Sequence, residues 1–217
     1  MGPSIHSVLA AVFGVVAQRR SYAQAFYSLI AFPLGTLYFV FLAVGLALGL
    51  GLVLLWVGFL ILAFVLVASW GLAVFERQQA IVLLDAEVPP MRPAGPPSED
   101  FGERVKGYLT NPVTWKGPIF LLLKFPLGIL SFVVMVTSFC LGASLLLAPL
   151  YYTWSPPDFY FWVADTLPEA LLCTLLGAAV LLLGLHLANG LGWVWRQLAQ
   201  LLLGASAPGA EQPTPAA

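Results

Sequence analysis

The most constraining feature of the sequence is a long stretch with no fixed charge. No Asp, Glu, Lys or Arg occurs between Arg20 and Glu76. A helix needs roughly 20 apolar residues to cross a hydrocarbon core of about 30 Å. The stretch is too long for one membrane span, so it predicts two spans joined by a tight turn. Gly45, Gly49 and Gly51 lie where that turn is expected and can relax its backbone.

The composition extends this prediction to the whole chain. Of the 217 residues, 60% are hydrophobic and only 9% are charged, whereas soluble domains carry roughly 25% charged residues. Two further apolar blocks follow the central loop. We therefore predict an all-α polytopic membrane protein with four transmembrane helices, arranged as two tandem hairpins in parallel orientation. The predicted spans are 26–48, 52–75, 119–147 and 167–194.

The basic residues predict the orientation of these spans. They precede the first span, lie between the second and third, and follow the fourth, whereas the connection 151–168 has no Lys or Arg. The positive-inside rule then places both termini in the cytoplasm and the chain in the cell membrane. The predicted regions are an N-terminal cytoplasmic or interfacial segment (1–25), a first transmembrane hairpin (26–75), a cytoplasmic loop (76–118), a second hairpin (119–194) with an outer aromatic loop (151–167), and a cytoplasmic helix with a disordered tail (195–217).

The two halves share short sequence motifs. Phe-Pro-Leu-Gly occurs at 32–35 and again at 125–128, and Arg-Gln occurs at 77–78 and again at 196–197. Each half holds two spans, so the motifs indicate a parallel repeat. A helical proline followed by a small residue favours close helix packing, or a hinge that transmits movement. The candidate hinge residues are Pro33, Gly35, Pro126 and Gly128.

The outer connection is rich in aromatic residues and contains two acids. One interpretation is an aromatic belt at the outer membrane interface. The other is a ligand-sensing surface for an apolar, lipid-like or cationic ligand, since π faces attract cations. The candidate sensing residues are Trp154, Asp158, Trp162 and Asp165.

Few polar groups lie within the predicted spans. His186 and Asn189 are three residues apart on one face of the fourth span. An ionisable group at that depth is a candidate for function, and a hydrogen bond between helices is the alternative. We expect Lys124, at the start of the third span, to extend its ammonium to the interface.

Several function classes are disfavoured. The sequence has no phosphate-binding loop, no metal-ligand spacing and no Ser-His-Asp set, so we expect neither an enzyme nor a cofactor or metal site. A net charge of −1 disfavours nucleic acid as a partner. The predicted spans lack the charged residues that a coupled transporter uses.

Motifs in both halves carry a family resemblance. They are residues 22–40 around Phe-Pro-Leu-Gly, Glu76-Arg77 after the second span, and Asn-Pro-Val-Thr-Trp at 111–115 before the second Pro-Leu-Gly. In order and spacing, residues 19–204 resemble the four-span sensor domain of actinobacterial-type histidine kinases. That resemblance implies a sensor ahead of a kinase core. No kinase core follows in these 217 residues, so we expect a stand-alone module.

The leading functional hypothesis is a membrane sensory module that detects a ligand or a membrane state and relays it to a cytoplasmic partner. The exit segments at 77–84 and 196–203 would carry the signal. Two alternatives stay open: an accessory subunit of a membrane complex, and a small-solute transporter or channel. Expected partners are membrane lipids, a histidine kinase or regulator, and a second copy of the chain.

Overall fold

The computed structural model describes residues 14–89, 112–159 and 162–204. Most of the predicted N-terminal segment, the loop from 90 to 111 and the tail from 205 lie outside the described residues. In chain order the elements are α1 (Arg19–Gly51), a 3₁₀ turn (Val53–Leu55), α2 (Val57–Leu84), α3 (Pro112–Leu146), α4 (Ala148–Tyr151), β1 (Asp158–Phe159), β2 (Trp162–Val163) and α5 (Leu167–Leu203).

Four of these helices have the length and apolar composition needed to cross a membrane: α1, α2, α3 and α5. This confirms the prediction of an all-α, multi-pass membrane fold. The helices are longer than the apolar blocks, because α2 continues to Leu84 and α5 continues to Leu203. Both predicted exit segments are therefore continuous with the spans that precede them.

A tight, uncharged turn joins α1 to α2. The carbonyl of Leu52 accepts hydrogen bonds from the amides of Leu55 and Gly58, at 3.0 Å each. Trp56 closes the turn with a φ of 60°, in the left-handed region that bulky residues rarely adopt. The Trp56 side chain is 81% exposed, which suits an aromatic residue at a membrane interface.

The chain divides into two compact units. The first comprises Met1–Ala31 and Gly128–Gly192, and the second comprises Phe32–Leu127 and Trp193–Ala217. The first unit contains the start of α1, the outer connection, and the parts of α3 and α5 next to that connection. The second unit contains the rest of α1, all of α2, the start of α3 and the end of α5.

Glycines bring the helices of each hairpin close together. In the second unit, a Cβ atom added to Gly49 would lie 2.6 Å from the Leu62 side chain. In the first unit, a Cβ added to Gly142 would lie 2.7 Å from the Leu181 side chain. Lipid provides no hydrophobic drive for helix association, so membrane helices rely on such close backbone contacts.

The two contacts occupy equivalent positions in the sequence repeat. The register set by the Phe-Pro-Leu-Gly motifs pairs Gly49 with Gly142, and the register set by the Arg-Gln motifs pairs Leu62 with Leu181. The two hairpins thus share this glycine–leucine contact. How the two hairpins are arranged as a tandem repeat stays a prediction.

Candidate functional site: a buried ion pair

The second unit contains an ion pair that is closed to solvent. Lys124 of α3 donates from Nζ to Oε2 of Glu76 on α2, and both side chains are 0% exposed. Lys and Glu are almost never fully buried unless they are paired. The pair is therefore an exceptional feature of a chain with so few charges.

A tyrosine completes the coordination of the carboxylate. The hydroxyl of Tyr38 on α1 donates to Oε1 of Glu76 over 2.7 Å. Each carboxylate oxygen thus has its own donor, from a different helix. We call Tyr38, Glu76 and Lys124 the charge cluster, since this one contact set links α1, α2 and α3.

Aromatic rings surround the ammonium group. The Lys124 Nζ lies 5.9 Å from the ring centroids of both Tyr38 and Trp195. Phe120 packs edge-on against Trp195 with 6.3 Å between centroids. These rings exclude water while offering π faces to the cation. Trp195 also brings the end of α5 into the surroundings of the cluster.

Close packing of α1 on α3 holds the cluster in place. Gly35 precedes Tyr38 by about one helical turn, and a Cβ added there would lie 2.6 Å from the Lys124 carbonyl oxygen. Next to this contact, Phe39 stacks on Phe125 with centroids 4.6 Å apart. Gly35 thus allows the backbone approach that brings the Tyr38 hydroxyl within reach of Glu76.

The prediction for Lys124 is wrong. Its ammonium does not extend to the interface, because Glu76, Tyr38 and Trp195 enclose it in the helix packing. Lys124 and Glu76 both lie within helices that qualify as membrane spans. The spans therefore contain both charges, whereas Glu76 was expected in the cytoplasmic loop and the Lys124 ammonium at the interface.

The charge cluster has no counterpart at the equivalent positions of the repeat. In the repeat register, the residue equivalent to Glu76 is Trp195, and the residue equivalent to Lys124 is Ala31. The two equivalent positions, one in each half, thus carry no charge. Such a departure from internal symmetry indicates that the pair was not needed for the hairpin packing that both halves share.

The charge cluster is joined directly to the helix ends. Arg77 follows Glu76 and donates to the carbonyls of Val88, at 2.6 Å, and Pro89, at 3.0 Å. Arg196 follows Trp195 and donates from Nε to the Leu84 carbonyl over 2.9 Å. Both arginines therefore hold the backbone at and beyond the end of α2.

Buried apolar side chains also lie at the ends of α2 and α5. Ala80 and Leu84 of α2, and Ala199 and Leu203 of α5, are fully buried. Asp85 ends α2 in a left-handed conformation with a φ of 53°, which lets the Ala86 amide reach the Ala80 carbonyl. We call residues 77–89 and 196–204 the exit region.

The four predicted sensing residues of the outer connection are exposed, unlike the charge cluster. Trp154 is 78% exposed, and Asp158 and Asp165 are also exposed. Trp162 instead serves the local fold: it stacks on Phe159 with 5.5 Å between centroids and donates from Nε1 to Glu169 over 3.1 Å. A ligand role for these four residues stays a prediction.

Glu169 also explains how α5 begins. Its carboxylate accepts from the backbone amide of Thr166 at 3.1 Å and from the Thr166 hydroxyl at 2.7 Å. This is half of a capping box, which satisfies amides that the first turn of a helix leaves free. Trp162 is therefore tied to the start of a span through a capping residue.

The two polar candidates within the fourth span differ in their exposure. His186 uses Nδ1 to contact the carbonyl of Leu182, one turn earlier in its own helix, over 2.9 Å. Its side chain is exposed, whereas Asn189 is half-buried. This local contact does not join two helices, so within the described part of the chain it does not indicate a relay through His186.

The repeat motifs lie in continuous helices. Pro33 is inside α1 and Pro126 is inside α3; both prolines are exposed, and both following glycines, Gly35 and Gly128, are buried. For Gly35 the contact with α3 gives the close packing that the motif predicts. A hinge at either position stays a prediction.

The chain matches a known protein family. Residues 27–203 match the family described as "Putative sensor". The chain belongs to this sensor family. The match includes the charge cluster and the exit region up to Leu203, and it confirms the resemblance drawn from the motifs. Neither a curated protein nor a solved structure matches the chain.

The charge cluster is the feature that the sequence interpretation missed. Glu76 follows a predicted span that ends at Phe75, and the Lys124 ammonium was expected at the interface. One signal was present: Lys124 lies between Leu121-Leu122-Leu123 and Phe125, so it is apolar on both sides. A charge embedded in this way needs a buried partner or a path to the interface.

Proposed function

We propose that this membrane sensor relays its state to a cytoplasmic partner through the exit region, with the charge cluster as the coupling element. The observation that carries the proposal is adjacency along the chain. Glu76 is bonded to Lys124 and Tyr38, and the next residue, Arg77, holds the backbone at Val88 and Pro89. A movement that disturbs the cluster must therefore also disturb the exit region.

The energetics of a buried pair support a two-state response. Separating two charges in a low-dielectric surrounding leaves each of them desolvated and unpaired, which costs several kcal/mol. Intermediate positions are unfavourable, so the helices are expected to hold either the paired arrangement or a distinct one in which water reaches the charges. Sensing needs such a bistable element, since a ligand acts by its different affinity for two states.

Signalling is favoured over the alternatives by the position of the cluster beside the exit region. A structural subunit requires no charged pair among its spans. A transporter would use the pair along a solute path, which the enclosure of the ammonium by the rings of Tyr38 and Trp195 disfavours. The proposed stimulus is either a ligand or a membrane property that acts at the outer surface of the protein.

The experiment is a comparison of partners captured by two variants. Gln197 lies in the last part of α5, next to Arg196. Gln197→Pro removes a helical amide and clashes with the preceding turn, at a cost of about 3 kcal/mol within a helix. Gln197→Ala keeps the helix and is the matched control. Each tagged protein is purified from its native membrane in mild detergent, and its partners are identified by mass spectrometry.

The proposal expects a histidine kinase or regulator with the natural protein and with Gln197→Ala. It expects at least roughly tenfold less of that partner with Gln197→Pro, while membrane insertion is unchanged. Capture of a stoichiometric membrane complex that Gln197→Pro leaves intact would contradict the relay and support an accessory subunit. Solute flux in reconstituted vesicles, equal in both variants, would support transport instead.

A further inference from the structure

A second polar feature lies in the first unit, away from the charge cluster. Ser21, Gln24 and Ser28 follow one face of α1, at the i, i+3 and i+7 positions of a helix. All three are buried, with exposed fractions of 0%, 3% and 0%. A polar stripe on the buried face of a membrane helix is costly unless its groups are hydrogen-bonded.

The oxygen atoms of this stripe have no protein partner. Among the described residues, Ser21 Oγ, Gln24 Oε1 and Ser28 Oγ are buried without a hydrogen bond, and so is Oδ1 of Asn189 on α5. An unsatisfied buried polar group costs about 1–3 kcal/mol. Four of them in one compact unit require a common explanation.

The packing of α1 on α5 brings two of these groups to one interface. A Cβ added to Gly192 would lie 2.7 Å from both Cγ and Cδ of Gln24, so the Gln24 side chain lies on the α5 backbone. Asn189 precedes Gly192 by about one turn. Ala25 and Ala188 belong to one buried cluster, so α1 and α5 pack together at the residues that follow Gln24 and precede Asn189.

The chemistry of the unpaired atoms selects the ligand. Two are amide oxygens, which only accept hydrogen bonds, and two are hydroxyl oxygens, which accept or donate. The complementary molecule is a small hydrogen-bond donor. No carboxylate is found among these four residues to balance a cation, so a neutral donor is favoured. Water fits best, because buried water binds where two to four polar partners meet.

We propose that the interface between α1 and α5 is a water-binding site, in which internal water bridges the stripe on α1 to Asn189. The site lies in the first unit and shares no residue with the charge cluster, so its test is independent of the proposed relay. It gives the helix pair water-mediated contacts in place of direct ones. Bridging water satisfies a polar group almost as well as a direct bond does.

The test is water-edited magic-angle-spinning NMR of the full chain in lipid vesicles. The protein carries ¹⁵N-labelled glutamine and ¹³C-labelled methionine methyl groups. The Gln24 side-chain signal is identified by its loss in Gln24→Leu. Met135 is the internal control, because it is buried in the same apolar cluster as Ala25. The site predicts transfer from water to Gln24 at least roughly threefold faster than transfer to Met135.

Equal, slow transfer to both side chains would overturn the proposal. A second measurement does not depend on Gln24→Leu. Ser28→Ala removes one water ligand, so the site predicts a lower thermal unfolding temperature. An unchanged or higher unfolding temperature would also overturn the proposal, because it would mean that the Ser28 hydroxyl is an unsatisfied group whose loss is harmless or favourable.

Discussion

Lys124→Met is expected to destabilise the protein by about 3–5 kcal/mol, because it leaves the Glu76 carboxylate buried without its cation. Methionine has nearly the length of lysine and no charge, so the change tests the ion pair and not the packing volume. Thermal unfolding in detergent, followed by loss of helical circular dichroism or by dye binding, measures the effect. Lys116→Met is the matched control, since Lys116 is a half-buried lysine of the same helix.

The double variant Glu76→Gln with Lys124→Met separates the pair from its parts. Removing both charges eliminates the uncompensated carboxylate, so most of the lost stability is expected to return. The amide introduced by Glu76→Gln still offers an acceptor for the Tyr38 hydroxyl. Additive losses in the double variant, or a Lys124→Met effect no larger than that of Lys116→Met, would show that the two charges do not interact in the folded protein.

Gly35→Ala is expected to cost about 1–3 kcal/mol through overpacking. The added methyl carbon would lie 2.6 Å from the Lys124 carbonyl oxygen and 2.9 Å from Phe125 Cα. Both atoms belong to the backbone, so neither can rotate away, and α1 must move from α3. This movement also withdraws Tyr38, about one turn later, from the Glu76 carboxylate. The unfolding temperature of the purified protein measures the loss.

Gly71→Ala provides the contrast for that prediction. Gly71 lies within α2, and a Cβ added there would meet nothing within 4 Å. The same substitution is therefore expected to stabilise by roughly 0.5–1 kcal/mol, because alanine loses less backbone entropy in a helix than glycine does. Equal effects at positions 35 and 71 would mean that the close contact between α1 and α3 does not form.

The fold could be predicted because it depends mainly on the order of charged and apolar residues along the chain. The uncharged stretch from Arg20 to Glu76 and the two later apolar blocks required four spans, whatever their partners. The helix ends were less visible. α1 begins at Arg19, well before its apolar block. α2 continues to Leu84, where the bonds of Arg77 and the burial of Ala80 stabilise the turns beyond the apolar block. Hydropathy alone does not report such contacts.

The candidate site was harder to predict for a physical reason. Glu76 and Lys124 are 48 positions apart and sit at the borders of two apolar blocks, where charges usually reach the interface. Only the approach of three helices converts them into a buried pair. The outer aromatic residues were predicted to bind a ligand because of their composition. In the structure, however, Trp162 stacks on Phe159 and donates a hydrogen bond to Glu169. The sequence pattern identifies the types of residue in a site, whereas their contact partners depend on how the helices pack.

The central claim is that the charge cluster controls the exit region, and a distance measurement between its two helix ends tests it directly. Spin labels at Val82 and Leu201 suit this purpose because the two side chains are 67% and 65% exposed. Cys140 and Cys173 are first replaced by serine and alanine, so that only the introduced cysteines react. Pulsed electron–electron double resonance in lipid nanodiscs then gives the distance distribution between the labels.

Three backgrounds are compared: the natural cluster, Lys124→Met, and Lys116→Met as the control. Tyr38→Phe is added as a milder change, because it removes only the hydroxyl that donates to Glu76. We expect one narrow distribution for the natural cluster and for Lys116→Met. We expect a broadened or shifted distribution for Lys124→Met and, to a smaller extent, for Tyr38→Phe. An unchanged distribution in folded Lys124→Met protein would show that the charge cluster does not control the exit region.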